Sequence, residues 1–380
     1  MSREHFDAIV VGVGGMGSAT VFELARRGMH VVGLEQFQLG HDQGSSHGRT
    51  RVIRKAYYEH PGYVPLLERA YEQWYDLEQR TGARLFVECG CLNIGDPSSE
   101  LIRGVQATCT EHAMPVEELS AGEINRRFPA LRFSDPYVGL LEHCAGFLLV
   151  EDCVRAHIAA ATSLNAVVND NEPVLGWRES GGVYEVRTER KTYVAKRLVL
   201  TAGPWATKLL ADLGAPLTVM RQTPLWFGVS DPAQFRRDRL PVYMADTPDG
   251  YYYGFPVIDS LGHKVARHYG ANELADPTQI ERGLDERDET DVRAFLQKHV
   301  PAATGTRTYG SVCTYTLTPD RHFILDRNPK YPGVAFAAGF SGHGYKFAPI
   351  VGSIMADLVE RGTTGNDIDM FRVNRFRLNV

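Results

Sequence analysis

The side chains best placed to do chemistry cluster around two glycine-rich turns at opposite ends of the chain. Near the N-terminus the strand-like run Ala8-Ile9-Val10-Val11 leads into Gly12-Val13-Gly14-Gly15-Met16-Gly17. Near the C-terminus Val334-Ala335-Phe336-Ala337-Ala338 leads into Gly339-Phe340-Ser341-Gly342-His343-Gly344-Tyr345-Lys346, and Cys313 lies just upstream in Gly310-Ser311-Val312-Cys313-Thr314-Tyr315. In the first turn Gly12 permits the tight strand-to-helix reversal. Gly14 lets backbone N–H groups approach a pyrophosphate, and Gly17 lets the next helix lie against the strand. That helix start offers unpaired N–H donors and a partial positive charge to the phosphates. Glu35 ends the run Val31-Val32-Gly33-Leu34 and stands 18 positions after Gly17 (35 − 17), the spacing of a carboxylate that binds ribose hydroxyls. The same charge would repel a 2′-phosphate, so NADP is disfavoured. A G-x-G-x-x-G alone is a weak signal; strand, helix, second strand and acid together carry the dinucleotide reading. Both turns and the cysteine point to a long dinucleotide gripped from both ends of the chain and bonded to it.

Positioning these groups requires strands before the turns and helices after them. Apolar spacing predicts a helix over 15–27, with Val21, Leu24 and Ala25 inward and Gly28 as its stop. A second helix starts near Val64, where Pro65 falls in the first turn, and runs to about Arg80. Shorter helices are expected over 117–128, 150–161 and 289–298, with a final one over 347–361 ending at Gly362. Residues 183–188 alternate like a strand, 197–200 read as a buried one, and 225–268 break into short strands with a turn at Pro248-Asp249-Gly250. Strand–helix alternation at both ends with a β-rich middle predicts an α/β fold. A Rossmann-like domain built from 1–88, 146–218 and 310–380 would interleave with a β-rich substrate domain from 89–145 and 219–309.

Bulk properties narrow the function classes. A chain of 380 residues exceeds one ordinary core, and its 43% hydrophobic and 23% charged content is that of a soluble globular protein. The net charge of -5 argues against nucleic acid or an anionic membrane as partner. The first strand begins too early for a secretory leader, and no apolar run approaches the roughly 20 residues of a membrane span. Six cysteines in so long a chain make no disulfide scaffold. The lone Cys89-Gly90-Cys91, with Leu85-Phe86-Val87 before it and Leu92-Asn93-Ile94 after, reads as strand and not as a metal site. The expectation is a cytoplasmic protein without metal.

Several motifs then converge. Gly12-x-Gly14-x-x-Gly17, the run Gly44-Ser45-Ser46-His47-Gly48-Arg49-Thr50-Arg51-Val52-Ile53-Arg54, Tyr252-Tyr253-Gly254-Phe255-Pro256, Cys313-Thr314-Tyr315 and the second glycine turn through Phe347 resemble the monomeric sarcosine oxidase and N-methyltryptophan oxidase family. These are FAD-dependent amine oxidases of the glycine oxidase/D-amino acid oxidase superfamily, with a GR2-type FAD domain, and the likeness covers nearly the whole chain. It implies FAD held covalently from Cys313 through an S-8α-cysteinyl bond. It implies further cofactor contacts from Gly12, Gly14, Gly17, Glu35, Ser45, His47, Arg51, Gly342, Gly344 and Lys346. Arg54 and Lys346 match the pair that holds the substrate carboxylate, with Tyr253 and Tyr315 also facing the substrate. Lys264 matches a lysine beside the flavin that promotes reaction with oxygen; His268, Arg51 and Tyr253 complete the implied catalytic set. The implied reaction is oxidation of the secondary amine of an N-methyl amino acid by O2, giving the primary amino acid, formaldehyde and H2O2, by a monomer.

Physical chemistry agrees with these roles. A thiolate can add to an electrophilic flavin if its pKa is lowered, an arginine fork binds a carboxylate, and a cation beside reduced flavin stabilises developing superoxide. On a strand Lys264 could equally face solvent, and His268 could be a bonded core residue. Ser46 stands where the family commonly has a second histidine, Lys55 replaces a histidine, and Glu35 replaces a frequent aspartate. The first two are expected to alter the pocket side of the flavin. Trp226, Phe227 and Tyr251-Tyr252-Tyr253 would either widen the pocket or fill the core. Alternative readings are oxidation of a cyclic imino acid, N-methyltryptophan or a glycated amino acid, or an NAD-dependent dehydrogenase suggested by the first turn alone.

Overall fold

The computed structural model describes residues 3–271 and 273–376. Its first sheet grows from strand Arg3–Val11, which pairs in parallel with Val31–Leu34 on one edge and Thr192–Leu200 on the other. Parallel strands covered on both faces read as continuous apolar runs. Accordingly Ala8 and Val10 enter one core while Ile9 and Val11 enter another. Val167–Asn169 extends the sheet beyond Val31–Leu34. The far edge of Thr192–Leu200 is shared: its first half pairs antiparallel with Val183–Arg187, and Leu198 to Leu200 pair in parallel with Val334–Ala338. The two glycine turns therefore leave the same sheet on either side of one strand.

Helix Gly15–Arg26 follows the first turn and packs against Val150–Ser163 and Ala348–Arg361. The approach is close because Gly352 faces Ala19, whose backbone a Cβ would meet at 2.7 Å. Helix Val64–Thr81 begins one turn after Pro61, with Pro65 in its first turn as expected, and ends at a left-handed Gly82. The last helix stops at Gly362 in the same way, φ 78°.

A second sheet of eight strands is mostly antiparallel, in the order Arg307–Gly310, Leu225–Phe227, His263–Arg267, Gly250–Gly254, Val242–Thr247, Cys91–Gly95, Val138–Glu142, Glu117–Ser120. Two three-stranded sheets stand beside the large ones: Thr50–Ile53, Gly146–Leu149 and Phe86–Glu88 form one; Glu273–Leu274, Thr218–Gln222 and Cys313–Leu317 form the other. Two expectations need correction. The helix expected from 117 starts at Ala121, because residues Glu117–Ser120 pair as an edge strand. Ser120 and Glu123 then form a reciprocal capping box that opens helix Ala121–Arg127. The strand reading around Cys89-Gly90-Cys91 splits into two strands of different sheets. Gly90, at φ 82°, turns the chain between them, a corner that side-chain alternation does not reveal.

The glycine at 17 carries the tightest constraint in the first turn. A Cβ there would stand 1.8 Å from the Gly12 carbonyl oxygen, which is backbone and cannot swing away. Gly17→Ala should destabilise the chain by about 3 kcal/mol or more, at or beyond the upper end of ordinary overpacking costs. Gly122, inside helix Ala121–Arg127 with open space around it, should behave oppositely, Gly122→Ala adding about 0.5–1 kcal/mol through helix propensity. Urea unfolding of both variants checks the pair; equal effects would contradict it.

Candidate active site

The first turn is rigidly held. Thr201 donates its hydroxyl to the Gly12 carbonyl at 2.8 Å, and the Ser46 hydroxyl accepts the Gly15 N–H at 3.0 Å. Glu35 ends its strand with both carboxylate oxygens engaged by backbone, accepting from Val13 N–H at 2.9 Å and Phe37 N–H at 3.1 Å. A cavity of about 470 Å³ runs from Gly12, Gly14 and Glu35 past Thr201 and Gly203. It continues to Ser45, Arg51, Cys313, Tyr315, Gly342 and Gly344. Gly17 lies behind this wall, under its helix. The cavity fits an extended dinucleotide such as FAD: glycine backbone and a fixed carboxylate line one end, and a thiol beside a guanidinium lines the other. A site built for NAD alone would need no thiol from the far end of the chain.

Arg51, on Thr50–Ile53, meets Cys313, the first residue of Cys313–Leu317. Its Nη2 donates to the Cys313 sulfur at 3.2 Å and to the Ser45 carbonyl at 2.9 Å, while Nη1 donates to the Thr50 carbonyl at 2.9 Å. Burial alone would push the thiol up. Arg51, His47 and Lys264 together outweigh it, Arg51 contributing most among them, and the Cys313 thiol falls to about 6. Burial pushes Cys89, Cys109 and Cys144 up to about 11, and Cys91 and Cys153 are raised as well. Cys313 is thus the one of the six cysteines held as a thiolate at neutral pH.

Lys264 lies inside, not in solvent. Its Nζ donates to the carbonyls of Gly48 at 2.6 Å and Thr50 at 2.9 Å and to the Thr50 hydroxyl at 3.1 Å. It also stands over the rings of Phe255 and Trp226, at 4.7 and 5.2 Å. Burial, then Arg51, holds its ammonium well below the ordinary lysine range. Of the aromatic candidates, Trp226, Phe227 and Tyr252 are core, Tyr252 stacking on Phe295 at 4.3 Å. Tyr251 and Tyr253 alternate to the opposite face. There they flank His268, their ring centroids 5.1 and 6.0 Å from its own. His268 shares a hydrogen bond of 3.1 Å with the Tyr315 hydroxyl. Burial depresses its imidazole to about 3, so it is neutral at physiological pH.

Arg54 and Lys346 converge on one ring: the Arg54 guanidinium carbon is 4.4 Å and the Lys346 Nζ 4.9 Å from the centroid of Tyr57. Both are buried. Arg54 is already partnered, which the sequence did not reveal. Its Nη2 donates to both oxygens of Glu59, at 2.9 and 2.8 Å, and Nη1 donates to the Ala56 carbonyl at 3.0 Å. Its Nε is buried with no hydrogen-bond partner among the described residues. Lys346 donates to the His343 carbonyl at 2.6 Å, and burial together with Arg54 lowers its ammonium to about 7. His343 joins the cluster by sharing 2.6 Å between its Nδ1 and the Tyr57 hydroxyl.

Glu59, Tyr57, His343 and Tyr269 are the site residues that sequence reasoning left out. The first two follow Arg54 within five positions, and His343 sits inside the second glycine turn, so proximity to a singled-out motif was the available signal. Two substitutions sit elsewhere than expected. Ser46 caps the nucleotide turn, and Lys55 covers Tyr71, its Nζ 4.7 Å from that ring, so both side chains are engaged away from the rings around His268.

Comparison with known proteins agrees with this arrangement. Residues 7–358 match the family model described as FAD dependent oxidoreductase. The monomeric sarcosine oxidase of Streptomyces avermitilis is 40% identical over 378 residues, covering 97% of each chain. The N-methyl-L-tryptophan oxidase of Yersinia pestis is 33% identical over 375 residues, 98% of this chain and 100% of that one. Among solved structures, NikD, an unusual amino acid oxidase essential for nikkomycin biosynthesis, superposes with a TM-score of 0.86 at 26% identity over 97% of each chain. A nucleotide cradle ending at a thiolate, on a chain of this similarity and coverage, belongs to the FAD dependent oxidoreductases, in the family of the monomeric sarcosine oxidases and N-methyl-L-tryptophan oxidases.

Proposed function

We propose that this chain oxidises the secondary amine of an N-methyl, sarcosine-like amino acid with O2, yielding the primary amino acid, formaldehyde and H2O2. Its FAD would be bonded to Cys313, and the chain would act as a cytoplasmic monomer. Residues 1–88, 146–218 and 310–380 would form the FAD-binding domain. The observation that carries the reading is the Arg51–Cys313 contact at the end of the dinucleotide cavity. The names of the relatives, sarcosine oxidase and N-methyl-L-tryptophan oxidase, support the substrate class.

When bound, FAD supplies the two-electron chemistry, taking electrons from the amine and passing them to oxygen. The chain's residues supply position and charge. Glu35 and the first turn would hold the nucleotide end, while Cys313 would fix the other as a thioether. Arg51 keeps the sulfur ionised beforehand. The substrate carboxylate binds between Lys346 and the unpartnered Nε of Arg54, a buried donor that needs an acceptor. Tyr251, Tyr253 and Tyr315 surround the amine with aromatic surface. Neutral His268 faces it with no proton to give, which favours the unprotonated amine that the oxidation requires. Lys264 places its amine beside the site of oxygen reduction, where the Gly48 and Thr50 acceptors oppose the effect of burial and favour the protonated form as negative charge develops.

Peroxide release by the purified yellow protein with sarcosine, N-methyl-L-tryptophan, pipecolate and fructosyl-glycine tests the reaction. Turnover should be fastest with an N-methyl amino acid, and the denatured chain should carry the mass of one FAD that Cys313→Ser removes. A bare chain mass in an active preparation would end the covalent part. Iodoacetamide labelling of Cys313 in chain expressed without riboflavin should follow a midpoint near 6, the thiolate being lost as pH falls below it. Arg51→Met should move that midpoint toward the ordinary value of about 8.5. Arg54→Ala should raise KM at least about tenfold with flavin content normal, matching the loss of a charge-assisted hydrogen bond. Arg54→Lys should not restore it, since lysine cannot reproduce the guanidinium geometry. An unchanged KM in Arg54→Ala would remove the clamp.

A further inference from the structure

One more cation stands at the edge of the ring cluster around His268, with no role in the proposed reaction. The ring of Tyr269 lies 4.1 Å from that of His268 and 6.0 Å from that of Tyr315, and its hydroxyl donates to the Ser341 carbonyl at 2.8 Å. His268 is buried and Tyr269 is partly exposed, so this ring is the outer member of the cluster. The Arg321 guanidinium carbon is 4.8 Å from the Tyr269 ring centroid.

Arg321 is held there deliberately by its backbone. Its φ of 62° is a left-handed conformation that disfavours any residue bearing a side chain. Its carbonyl accepts from His343 Nε2 at 2.9 Å, and the other nitrogen of that ring meets the Tyr57 hydroxyl. The same Tyr57 ring carries Arg54 and Lys346, so Arg321 is tied through two side chains to the carboxylate clamp. Its guanidinium is under-used. Nη2 reaches Glu273 at 3.4 Å, both side chains 43% exposed, an interaction of little strength. Nη1 is buried with no hydrogen-bond partner among the described residues. Arg54 Nε is the other unpartnered guanidinium donor near this cluster. Arg54 and Lys346 on Tyr57 and Arg321 on Tyr269 therefore bring three basic side chains close to it, with Glu59 as the largely buried acid paired to Arg54. A sarcosine-like substrate brings one carboxylate and fills one of the two vacant donors.

We propose that Arg321 binds a second carboxylate, on the substrate side chain, so that the preferred substrates are N-methylated dicarboxylic amino acids whose α-carboxylate sits on Arg54 and Lys346. This rests on the reading of the chain as an N-methyl amino acid oxidase. The carboxylate takes Nη1 beside Tyr269, and the amine remains within the ring of Tyr251, Tyr253, His268 and Tyr315.

The test measures kcat/KM of the FAD-loaded enzyme for sarcosine, N-methyl-L-alanine, N-methyl-L-aspartate and N-methyl-L-glutamate. One dicarboxylate should exceed N-methyl-L-alanine by roughly tenfold or more, the scale of one charge-assisted hydrogen bond. In Arg321→Met that ratio should fall to near one, through KM. A wild-type ratio near one overturns the proposal whether or not the variant folds, and so does a ratio that Arg321→Met leaves intact. Turnover of sarcosine and N-methyl-L-alanine alone would sink this inference while sparing the N-methyl amino acid reading. Turnover of none of the four would remove both.

Discussion

The structure depends on bringing one guanidinium against one sulfur across 262 positions of chain. Burial would keep the Cys313 thiol protonated; the charge-assisted contact from Arg51, joined by His47 and Lys264, reverses the sign. That contact exists only because two small sheets abut, one holding Thr50–Ile53 and the other Cys313–Leu317. The segment between Ser45 and Arg51 is fixed from both sides. Ser45 donates to the Thr314 carbonyl at 2.5 Å, and Glu151 at the start of its helix accepts the Gly48 and Arg49 N–H groups at 2.8 and 3.2 Å. The thiolate thus belongs to the assembled fold.

The same economy governs the other charges. Lys264, Arg54 and Lys346 are taken out of water and Arg51 partly so, yet their donors are mostly absorbed by backbone carbonyls. Carbonyl acceptors satisfy a buried cation without cancelling its charge, so the two arginines keep the interior electropositive although burial pulls the Lys264 and Lys346 ammoniums down. Such a field suits the anionic substrate group and the reduction of oxygen proposed for this site. Glu59 is the exception, and it neutralises Arg54 only through Nη2.

The second sheet contributes by alternation. Tyr252 goes into the core on one face, while Tyr251 and Tyr253 flank His268 on the other. Lys264, on the adjacent strand His263–Arg267, is aligned with Trp226 across the antiparallel pair and reaches carbonyls of the small sheet opposite. One pleated surface therefore serves both as core and as the wall of the candidate site.

What could be read in the linear chain was local chemistry. The first turn, its helix and Glu35 are encoded within 35 residues, because phosphate binding needs glycine at fixed spacings and strands need apolar runs. The family motifs named the cysteine and the cations. The sequence also suggested a helix from 117, where pairing with Val138–Glu142 at an edge made a strand instead. Its alternation could not reveal the corner at Gly90. Tertiary structure alone decided that Lys264 is buried, that Arg54 already holds Glu59, and that Arg321 stands on Tyr269. The reason is physical: a charge's partner and its solvent exposure are set by whatever the fold packs around it, and those groups lie tens to hundreds of positions away.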